Sequence, residues 1–510
     1  MFVRLHSAAL AGIEAREVAV EVNLASGGIG LFIVGLPDNT IKESEQRIVA
    51  AFGNSGYRMQ AKKIVVNLAP ADLRKEGSLY DLPIAIGLLA VTEQLQSDLL
   101  DDSMFIGELS LNGHLRPVKG VLPLVAMARD IGLRRVFLPE ENVAEGAVVE
   151  GIDVVGAGSL LEVCQMLSGA MPIVAAEHNI ASEQNDEDGF NEDFSDVKGQ
   201  EYVKRALEIA AAGGHNVIMV GSPGSGKTML ARRMPTILPP MTLDEALETT
   251  KIHSVAGKIG AHHGLMCHRP FRAPHHLTSQ VALIGGGQSP QPGEVSLANN
   301  GVLFLDEMPE FGRSVLEVLR QPLEERHITI SRAKYTVDYP ARFMLIASMN
   351  PCPCGYYNHP TKECTCSAAA VHRYKAHISG PLMDRIDIHI EVVPVSVGEL
   401  ASEHKAETSA IVRERVVAAR LIQQRRFEGL DIHCNAEMTS AMLRRFAPLD
   451  KACQTMLEHA MTALDLSARA YDRIIKVART IADLEHKENI EPQHLSEAIG
   501  YRSLDRRGER

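Results

Sequence analysis

The alternation of apolar and polar residues predicts a first domain that mixes strands and helices. Strand-like runs include VAVEVNL, GLFIVGLP and KKIVVNLAP, whereas IKESEQRIVAAFG and DLPIAIGLLAVTEQL have helical character. The same alternation of strands and helices continues in a hairpin-like ELSLNGHLRPV, a helix and the strand RRVFLP. Period-two alternation is typical of strands, and a period of about 3.6 is typical of helices. We therefore predict an independent α/β or α+β domain over residues 1–170.

More strongly apolar runs mark a second α/β region, residues 197–395. An amphipathic helix over 202–212 leads into NVIMV, and GVLFL and RFMLIASM follow further along. Short continuous apolar runs are typical of parallel strands buried on both faces. The pattern predicts a doubly wound parallel core. From 396 to 510 the chain becomes charged and helical, which predicts a separate helical domain.

An acidic segment, residues 171–196, separates the two α/β regions. Residues 177–196 contain eight acidic residues, no lysine or arginine, and few large apolar side chains. Such a composition favours a solvated, flexible linker between domains. Because much of the net charge of −12 is concentrated there, the overall acidity does not exclude local basic surfaces that bind nucleic acid.

Composition bounds the class of protein. The 510 residues are 45% apolar and 23% charged, as is ordinary for soluble globular proteins, and the length suggests about three domains. No apolar run approaches a membrane span, and the amino terminus lacks an uninterrupted apolar core. We expect a cytoplasmic protein without a membrane partner. Four of the eight cysteines lie within fifteen residues, which favours a metal site over a disulfide framework.

The run GSPGSGKT, between the strand-like segment 216–220 and a helix-like segment, is a phosphate-binding pattern. Its glycines permit a tight turn in which successive N–H groups and the helix amino terminus face phosphate oxygens. The lysine then reaches the β- and γ-phosphates, and the last hydroxyl holds Mg²⁺. An ordinary glycine-rich turn is the alternative, but strand, complete pattern and helix coincide here. The predicted ATP and Mg²⁺ ligands are Gly221, Ser222, Pro223, Gly224, Ser225, Gly226, Lys227 and Thr228.

A second pair of candidate residues follows the apolar run GVLFL. Asp306 and Glu307 end this run, and a buried parallel strand with acidic last residues delivers carboxylates to a bound metal. We expect Asp306 to bind Mg²⁺ through water and Glu307 to polarise the attacking water. A strand that ends in a charged turn is the less favoured alternative.

The cysteines of NPCPCGYYNHPTKECTCS form two C-x-C hooks separated by nine residues. Four thiolates in this arrangement can hold Zn²⁺ tetrahedrally. The spacing is tighter than the usual C-x₂-C, so reduced or redox-labile thiols stay an alternative, and His359 is a spare ligand. The predicted zinc ligands are Cys352, Cys354, Cys364 and Cys366.

The 77 residues between Thr228 and Asp306 exceed what a helix and a strand need. The excess includes six histidines, at 253, 262, 263, 268, 275 and 276, whose spacing matches no common ligand pattern. We interpret this segment as a polar insertion. After Glu307, ERHITISRAKYTVDYPARF contains two alternating strands around residues 332–334, which predicts a β-hairpin.

The second region resembles AAA+ ATPases in the order of its elements. The resemblance implies that residues 197–199 wrap the adenine, that Asn350, at the end of RFMLIASM, positions the attacking water, and that the helical domain is the lid. It also implies that Arg385, in DRID, reaches the γ-phosphate held by the neighbouring subunit of a ring. A surface pair of Arg385 with Asp387 is the alternative.

Two further AAA+ features concern the lid and the hairpin. Arg469, in LSARAYDR, occupies the second sensor position by resemblance, and Arg473 could substitute; either could also be a solvated helix residue. An insertion in the second helix together with a hairpin before the first sensor is typical of the branch that includes the MCM helicases and the Mg-chelatase ATPase. There the basic hairpin tip touches DNA, which makes Arg332 and Lys334 candidate DNA contacts, with a solvated hairpin tip as the alternative.

The first domain resembles the proteolytic domain of Lon, which has the ribosomal S5-like fold. KEGSLYDLPIAIGLLA and GELSLNGHLRPVKGVLPLVAMARDIGLRRVFLPEEN carry the resemblance. It invites a protease hypothesis with a serine activated by a lysine. Counting along the motif, Leu122 stands where the lysine belongs, and Ser78 and Lys119 are unremarkable turn residues. We expect this domain to serve assembly or partner docking.

Nearly the whole chain resembles the bacterial Mg-chelatase-like AAA+ family called YifB or ComM. FRAPHH, GEVSLANNGVLFLDEMPEF, NPCPCGYY, SGPLMDRID and LSARAYDRI carry the resemblance. Family members known as ComM act as hexameric helicases that promote branch migration during natural transformation. The resemblance implies a hexameric DNA motor that acts in recombination. The alternatives are a chelatase-type remodelling ATPase with partner subunits and, less favoured, an ATP-dependent protease.

Overall fold

The structure of the protein is a computed structural model that describes residues 1–177, 192–260, 263–287, 290–332, 335–359, 361–395, 398 and 406–502. The chain divides into two compact units. The first contains residues 1–186 and 243–267, and the second contains residues 187–242 and 268–510. No helix in the described part of the chain is long and apolar enough to cross a membrane.

The first unit is built on a seven-stranded mixed sheet of order β3-β4-β2-β1-β5-β8-β9. Strands β1, β2 and β4 pair antiparallel, and the remaining neighbours pair parallel. A separate ribbon joins β6 and β7. The strands are β1 Phe2–Ala11, β2 Glu14–Ala25, β3 Gly30–Val34, β4 Lys63–Ala69, β5 Ser103–Phe105, β6 Glu108–Leu109, β7 Leu115–Arg116, β8 Arg135–Pro139 and β9 Asp153–Ala157.

Helices cover this sheet where the sequence is most apolar. The helix α3 is buried on every side, and its acidic first residue, Asp81, is compensated by Arg47, whose Nε lies 2.6 Å from Oδ2. The helices of residues 1–177 are α1 Asn39–Lys42, α2 Ser44–Asn54, α3 Asp81–Val91, α4 Val121–Asp130, α5 Val143–Gly146 and α6 Leu160–Leu167, with a 3₁₀ turn at Glu140–Asn142. The α/β character predicted for residues 1–170 is therefore observed.

A helix that the sequence placed in the ATPase region packs with the first unit. This helix, Leu243–Val255, lies against α4, and the backbone N–H of Gly120 donates to the carbonyl of Ser254 at 3.1 Å. The Ser254 hydroxyl donates to the buried carboxylate of Glu145, whose pKa is raised by burial. Helical periodicity reveals an apolar face but not the surface that covers it, so residues 243–267 were placed by chain order alone.

The second unit contains a five-stranded sheet of order β11-β14-β17-β10-β18. All of its neighbouring strands are parallel, which confirms the doubly wound core. Two antiparallel ribbons, β12–β13 and β15–β16, stand outside this sheet. The strands are β10 Val217–Gly221, β11 Phe271–Arg272, β12 Gly285–Gly286, β13 Gln291–Pro292, β14 Val302–Leu305, β15 His327–Arg332, β16 Tyr335–Pro340, β17 Met344–Met349 and β18 Ile388–Val392.

Helices surround this sheet and continue to the end of the described chain. They are α7 Glu201–Gly213, α8 Lys227–Ile237, α9 Leu243–Val255 (which belongs to the first unit), α10 Gln280–Ile284, α11 Glu294–Leu297, α12 Arg313–Glu317, α13 Arg320–Glu325, α14 Ala368–Lys375, α15 Gly380–Met383, α16 Ser409–Arg426, α17 Ser440–Phe446, α18 Lys451–Ala463, α19 Ala468–Leu484 and α20 Pro492–Gly500. The 3₁₀ turns are Phe194–Asp196, Met308–Glu310 and Asn435–Glu437. Helices α7, α16 and α19 pack against one another, so the helical region shares one core with the ATPase sheet.

The end of the predicted acidic linker is part of this core. Phe194 is buried, its N–H donates to the Ser409 hydroxyl at 2.8 Å, and Arg233 Nη2 donates to Asp196 at 2.9 Å. Residues 192–196, which were predicted to be flexible linker, form a packed turn instead. Its aromatic residue is buried, and two of its acidic residues pair with Arg233. Residues 178–191 lie outside the described residues.

Acidification is expected to destabilise the second unit. Burial lowers the pKa of His215 and lowers that of His389 well below its ordinary value, since a charged imidazole would lose its hydration. The folded state therefore keeps both rings neutral where the unfolded chain, with an ordinary pKa of about 6.5, takes up protons. The resulting stability is present above pH 6.5 and is lost as the pH falls, by up to about 1.4 kcal/mol per pH unit for each ring.

Urea unfolding of the protein at a series of pH values between 7 and 5.5 measures this loss. The exposed His486 provides the control, because its replacement by asparagine should leave the slope unchanged. A free energy of unfolding that is constant across this interval contradicts the prediction.

Candidate nucleotide site

The phosphate loop joins the carboxyl end of β10 to the amino end of α8. Gly224 and Gly226 have φ angles of +79° and +92°, a left-handed conformation that glycine adopts without strain. Gly221 admits no side chain for a different reason, since a Cβ there would lie 2.3 Å from the carbonyl oxygen of Val392. The hydroxyls of Ser222 and Ser225 are buried and have no hydrogen-bond partner within the described structure. These features form a cradle of the kind that binds phosphate.

Lys227 lies at the centre of this loop. Its Nζ donates to the carbonyl oxygens of Gly221 and Ser222, at 2.7 and 3.0 Å, and to Oδ1 of Asn350 at 3.3 Å. Burial lowers the pKa of this amine, while the carboxylates of Asp306 and Glu307 oppose the shift. The lysine thus connects the loop to the predicted first sensor and to the acidic end of β14.

The carboxylate of Asp306 accepts a hydrogen bond from the last residue of the phosphate loop. Thr228 Oγ1 donates to Asp306 Oδ2 at 2.8 Å, and the Ser348 hydroxyl donates to Oδ1. A hydroxyl and a carboxylate of this kind are the oxygen ligands that Mg²⁺ prefers, so these residues fit the ion, which would supply charge neutralisation at the phosphates. The structure therefore brings together the residues that the sequence predicted for the nucleotide.

Ser348 was missed by the sequence analysis. It is fully buried on β17, and its Oγ also accepts the backbone N–H of Glu307 at 3.2 Å. Glu307 has a φ of +52°, a conformation that an L-residue adopts at some cost, so this hydrogen bond holds an exposed carboxylate at the mouth of the site. The one usable sign was a serine inside the apolar strand RFMLIASM.

Arg385 lies at the amino ends of the parallel strands, whereas the phosphate loop of its own chain lies at their carboxyl ends. It precedes β18, whose Ile388 is in register with Val217 at the amino end of β10. A five-residue strand is about 16 Å long, and the phosphate loop begins at its carboxyl end. Arg385 is buried and pairs with Glu324 at 2.6 Å. The alternative surface pair with Asp387 is wrong, because Asp387 is itself buried and binds Arg473.

The second sensor candidates lie at the same amino edge. Arg473 pairs with Asp387 and holds its pKa below the ordinary value, although burial alone would raise it. Arg469, one turn earlier on α19, is exposed. A cavity of about 370 Å³ opens beside Arg473, and Glu324, Arg326, Arg473 and Lys476 contribute to its walls. Arg473 thus contacts the amino end of β18, away from the phosphate loop of its own chain.

The four predicted metal ligands converge. The Sγ atoms of Cys352, Cys354, Cys364 and Cys366 lie within 4.8 Å of one another, with Cys352 to Cys354 at 3.3 Å and Cys364 at 3.6 Å from each of those two. A tetrahedral zinc with Zn–S bonds of about 2.3 Å needs sulfurs about 3.8 Å apart. The backbone N–H of Tyr356 lowers the pKa of Cys354 to about 5. The cluster fits Zn²⁺, which would act there as a structural cross-link.

The two insertions of the predicted branch are present. The ribbon β12–β13 separates α10 from α11, and β15–β16 form a regular hairpin from His327, opposite Pro340, to Arg332, opposite Tyr335. Arg332 ends β15, and Lys334 lies outside the described residues. His262 lies outside the described residues, and the other five histidines do not cluster as metal ligands in the described part of the chain, where the cysteine group stands alone.

The protease dyad finds no support at its predicted position. Leu122 is buried in α4 and donates its backbone N–H to Glu145 at 2.9 Å. The Ser78 hydroxyl donates to the carboxylate of Glu108, not to an amine.

Comparison with known proteins decides the family. Residues 193–400, 20–142 and 406–502 match, in that order, the families described as magnesium chelatase subunit ChlI, subunit ChlI of Mg-chelatase, and the ChlI C-terminal region. The chain is 45% identical to the competence protein ComM of Haemophilus influenzae, over 98% of this chain and 97% of that protein. It belongs to the ComM and YifB family.

Other relatives agree with this assignment. The YifB protein of Escherichia coli is 44% identical over 98% of this chain and 97% of its own length. The magnesium-chelatase 38 kDa subunit of Cereibacter sphaeroides is 28% identical over 31% of this chain and 52% of its own length. As a member of the ComM and YifB family, the chain is a magnesium-chelatase-like AAA+ ATPase.

Proposed function

We propose that this ATPase is a ring-forming motor that moves branched or single-stranded DNA during recombination in competence. The hairpin β15–β16 carries the proposal, because it is inserted between the strand that ends at Asp306 and the strand that leads to Asn350. Its movement is thereby tied to both sides of the nucleotide site. The relation to a competence protein over nearly the full length supports this use of the motor.

The positions of the arginines support ring assembly. Arg385 and Arg473 lie at the amino ends of the strands, away from the phosphate loop, with Arg469 one turn from Arg473, where they would be placed to complete the site of a neighbouring copy. We propose that Arg385 and Arg469 act in trans, that Glu307 and Asn350 act in cis on the attacking water, and that the ring is a hexamer. In this proposal the neighbour would cover the cavity beside Arg473, whose walls carry both acidic and basic side chains.

A motor assay on DNA tests the proposal. Forked DNA and four-way junctions are incubated with ATP and the wild type, Lys227→Ala or Lys334→Ala. We expect the wild type to unwind or migrate the junction, Lys227→Ala to be inactive, and Lys334→Ala to lose DNA-stimulated hydrolysis while it keeps basal hydrolysis. Lys451→Ala, which removes an exposed lysine at the start of α18, is the matched control and should behave as the wild type.

The competing functions give different results in the same assays. A wild type that neither binds nor moves DNA overturns the motor proposal, and full coupling in Lys334→Ala overturns only the hairpin assignment. A chelatase-type ATPase would hydrolyse ATP without stimulation by DNA. The 38 kDa chelatase subunit of Cereibacter sphaeroides matches 31% of the chain, whereas ComM matches 98%. The first unit and the cysteine cluster also lie beyond what an ATPase core requires.

The cysteine cluster is expected to hold about one Zn²⁺ per chain. Elemental analysis of the purified protein measures the content, and Cys352→Ser should lower it several-fold, because three thiolates and a hydroxyl bind zinc less tightly. Cys267→Ser removes a thiol outside the cluster and should leave the zinc in place. A wild type purified without metal contradicts the assignment.

A further inference from the structure

The backbone of the cysteine segment lies against a proline ring of the phosphate loop. Gly355, between the two cysteine hooks, has a φ of +83° and lies against the ring of Pro223. A Cβ at residue 355 would lie 2.5 Å from Cδ and 2.7 Å from Cγ of Pro223. The N–H of Gly355 donates to the carbonyl of Cys352 at 3.0 Å. The turn that carries the first two thiols is therefore one wall of the phosphate loop.

A second contact joins the segment after the cysteines to the segment after β14. His377 Nδ1 contacts the carbonyl of Pro309, two residues after Glu307. Tyr374, on the intervening α14, has its pKa raised to about 12, chiefly by burial. The segment that follows the cysteines is thus seated beside the acidic end of β14.

The segment that carries the thiols has little structure of its own. Residues 351–359 and 361–367 form turns and bends, with no helix or strand. Cys352 is fully buried, whereas the other three cysteines are partly exposed. A metal that joins two such hooks removes the conformational freedom of the loop between them. The metal would therefore add a restraint to a turn that is otherwise held by the Gly355–Cys352 hydrogen bond and the contact with Pro223.

We propose that the metal-loaded cysteine cluster is a positioning element of the ATPase site, so that ATP affinity depends on the metal. The proposal rests on the zinc assignment made under Proposed function. Its route is the contact of Gly355 with Pro223, which shapes the phosphate loop.

Metal content and ATP affinity, measured together on the full chain, test the proposal. A fluorescent ATP analogue is titrated into the protein as purified, after treatment with a chelator, and after Zn²⁺ is added back. We expect metal removal to weaken affinity about tenfold, equivalent to about 1.4 kcal/mol, and zinc alone to restore it. A chelator that removes the zinc without changing the affinity overturns the proposal.

Two glycine variants separate the contact from general strain. Gly355→Ala should keep the zinc but weaken ATP affinity about tenfold, because its Cβ is forced into the proline ring. Gly429→Ala introduces a side chain at a similar φ of +78° into open space, and it should change neither quantity. A Gly355→Ala protein with zinc and unchanged ATP affinity overturns the proposed route.

If the purified protein holds no metal, the zinc assignment and this proposal fail together, and DNA-stimulated hydrolysis of the same sample shows whether the motor proposal stands.

Discussion

Replacing Glu307 with glutamine is expected to lower kcat for ATP hydrolysis by about 10²–10⁴-fold, the usual contribution of a general base. The carboxylate is exposed at the mouth of the site and its backbone is held by Ser348 at 3.2 Å. It is therefore placed to polarise water rather than to hold the nucleotide. Binding should survive, because the phosphate loop, Lys227 and the Thr228–Asp306 contact are untouched.

Steady-state hydrolysis and titration of a fluorescent ATP analogue measure the two quantities separately. Glu310→Gln removes an exposed carboxylate three residues further along and serves as the matched control, with kcat expected within about threefold of the wild type. Equal losses of kcat and nucleotide affinity in Glu307→Gln would show that the carboxylate organises the loop instead. An unchanged kcat would assign the water-polarising role to another group.

Local sequence patterns were sufficient to predict the phosphate loop and its acidic neighbours. The phosphate loop and the Asp306–Glu307 pair are short motifs whose geometry is set by a few neighbouring residues, and the structure joins them through Thr228 at 2.8 Å. The parallel core was also predictable, because buried parallel strands leave continuous apolar runs. The cysteine hooks were also predictable, because each C-x-C motif places two thiols on one turn.

Contacts between distant segments were beyond the sequence. Nothing in the local pattern around Arg385 indicates that its partner is Glu324, some sixty residues earlier. Nor does it indicate that Asp387 pairs with Arg473. The position of helix α9 could not be predicted either, because its apolar face could pack against either unit. Ser348 was hidden because a hydroxyl on a buried strand becomes meaningful only when the neighbouring strand, β14, brings Asp306 beside it.

Removal of Arg385 is expected to lower ATP hydrolysis by about 10³-fold or more, the range found for arginines that stabilise a transferring phosphoryl group. Under the ring proposal, the amino end of β18 faces the neighbouring subunit, so the lost charge would belong to that neighbour's site. Nucleotide affinity of the isolated chain should therefore change little. Steady-state hydrolysis of Arg385→Ala, with a binding titration beside it, measures both.

Mixing inactive variants distinguishes an arginine in trans from one in cis. In a mixed ring, an Arg385→Ala subunit keeps an intact phosphate loop, and a Lys227→Ala neighbour supplies an intact Arg385 to it. We expect the mixture to recover a substantial fraction of wild-type hydrolysis, whereas either variant alone is inactive. A mixture that forms rings but recovers no activity places Arg385 in its own chain's site or in a purely structural role.

Glu324→Gln provides the structural control for Arg385. It removes the 2.6 Å ion pair but keeps the guanidinium, so loss of the pair alone should leave hydrolysis within about threefold, as expected for a pair whose acidic partner is half exposed. If Glu324→Gln is as inactive as Arg385→Ala, the ion pair and not the free cation is what the ring requires. If it retains activity while Arg385→Ala does not, the guanidinium acts beyond the pair, and the amino edge of one subunit completes the nucleotide site of the next.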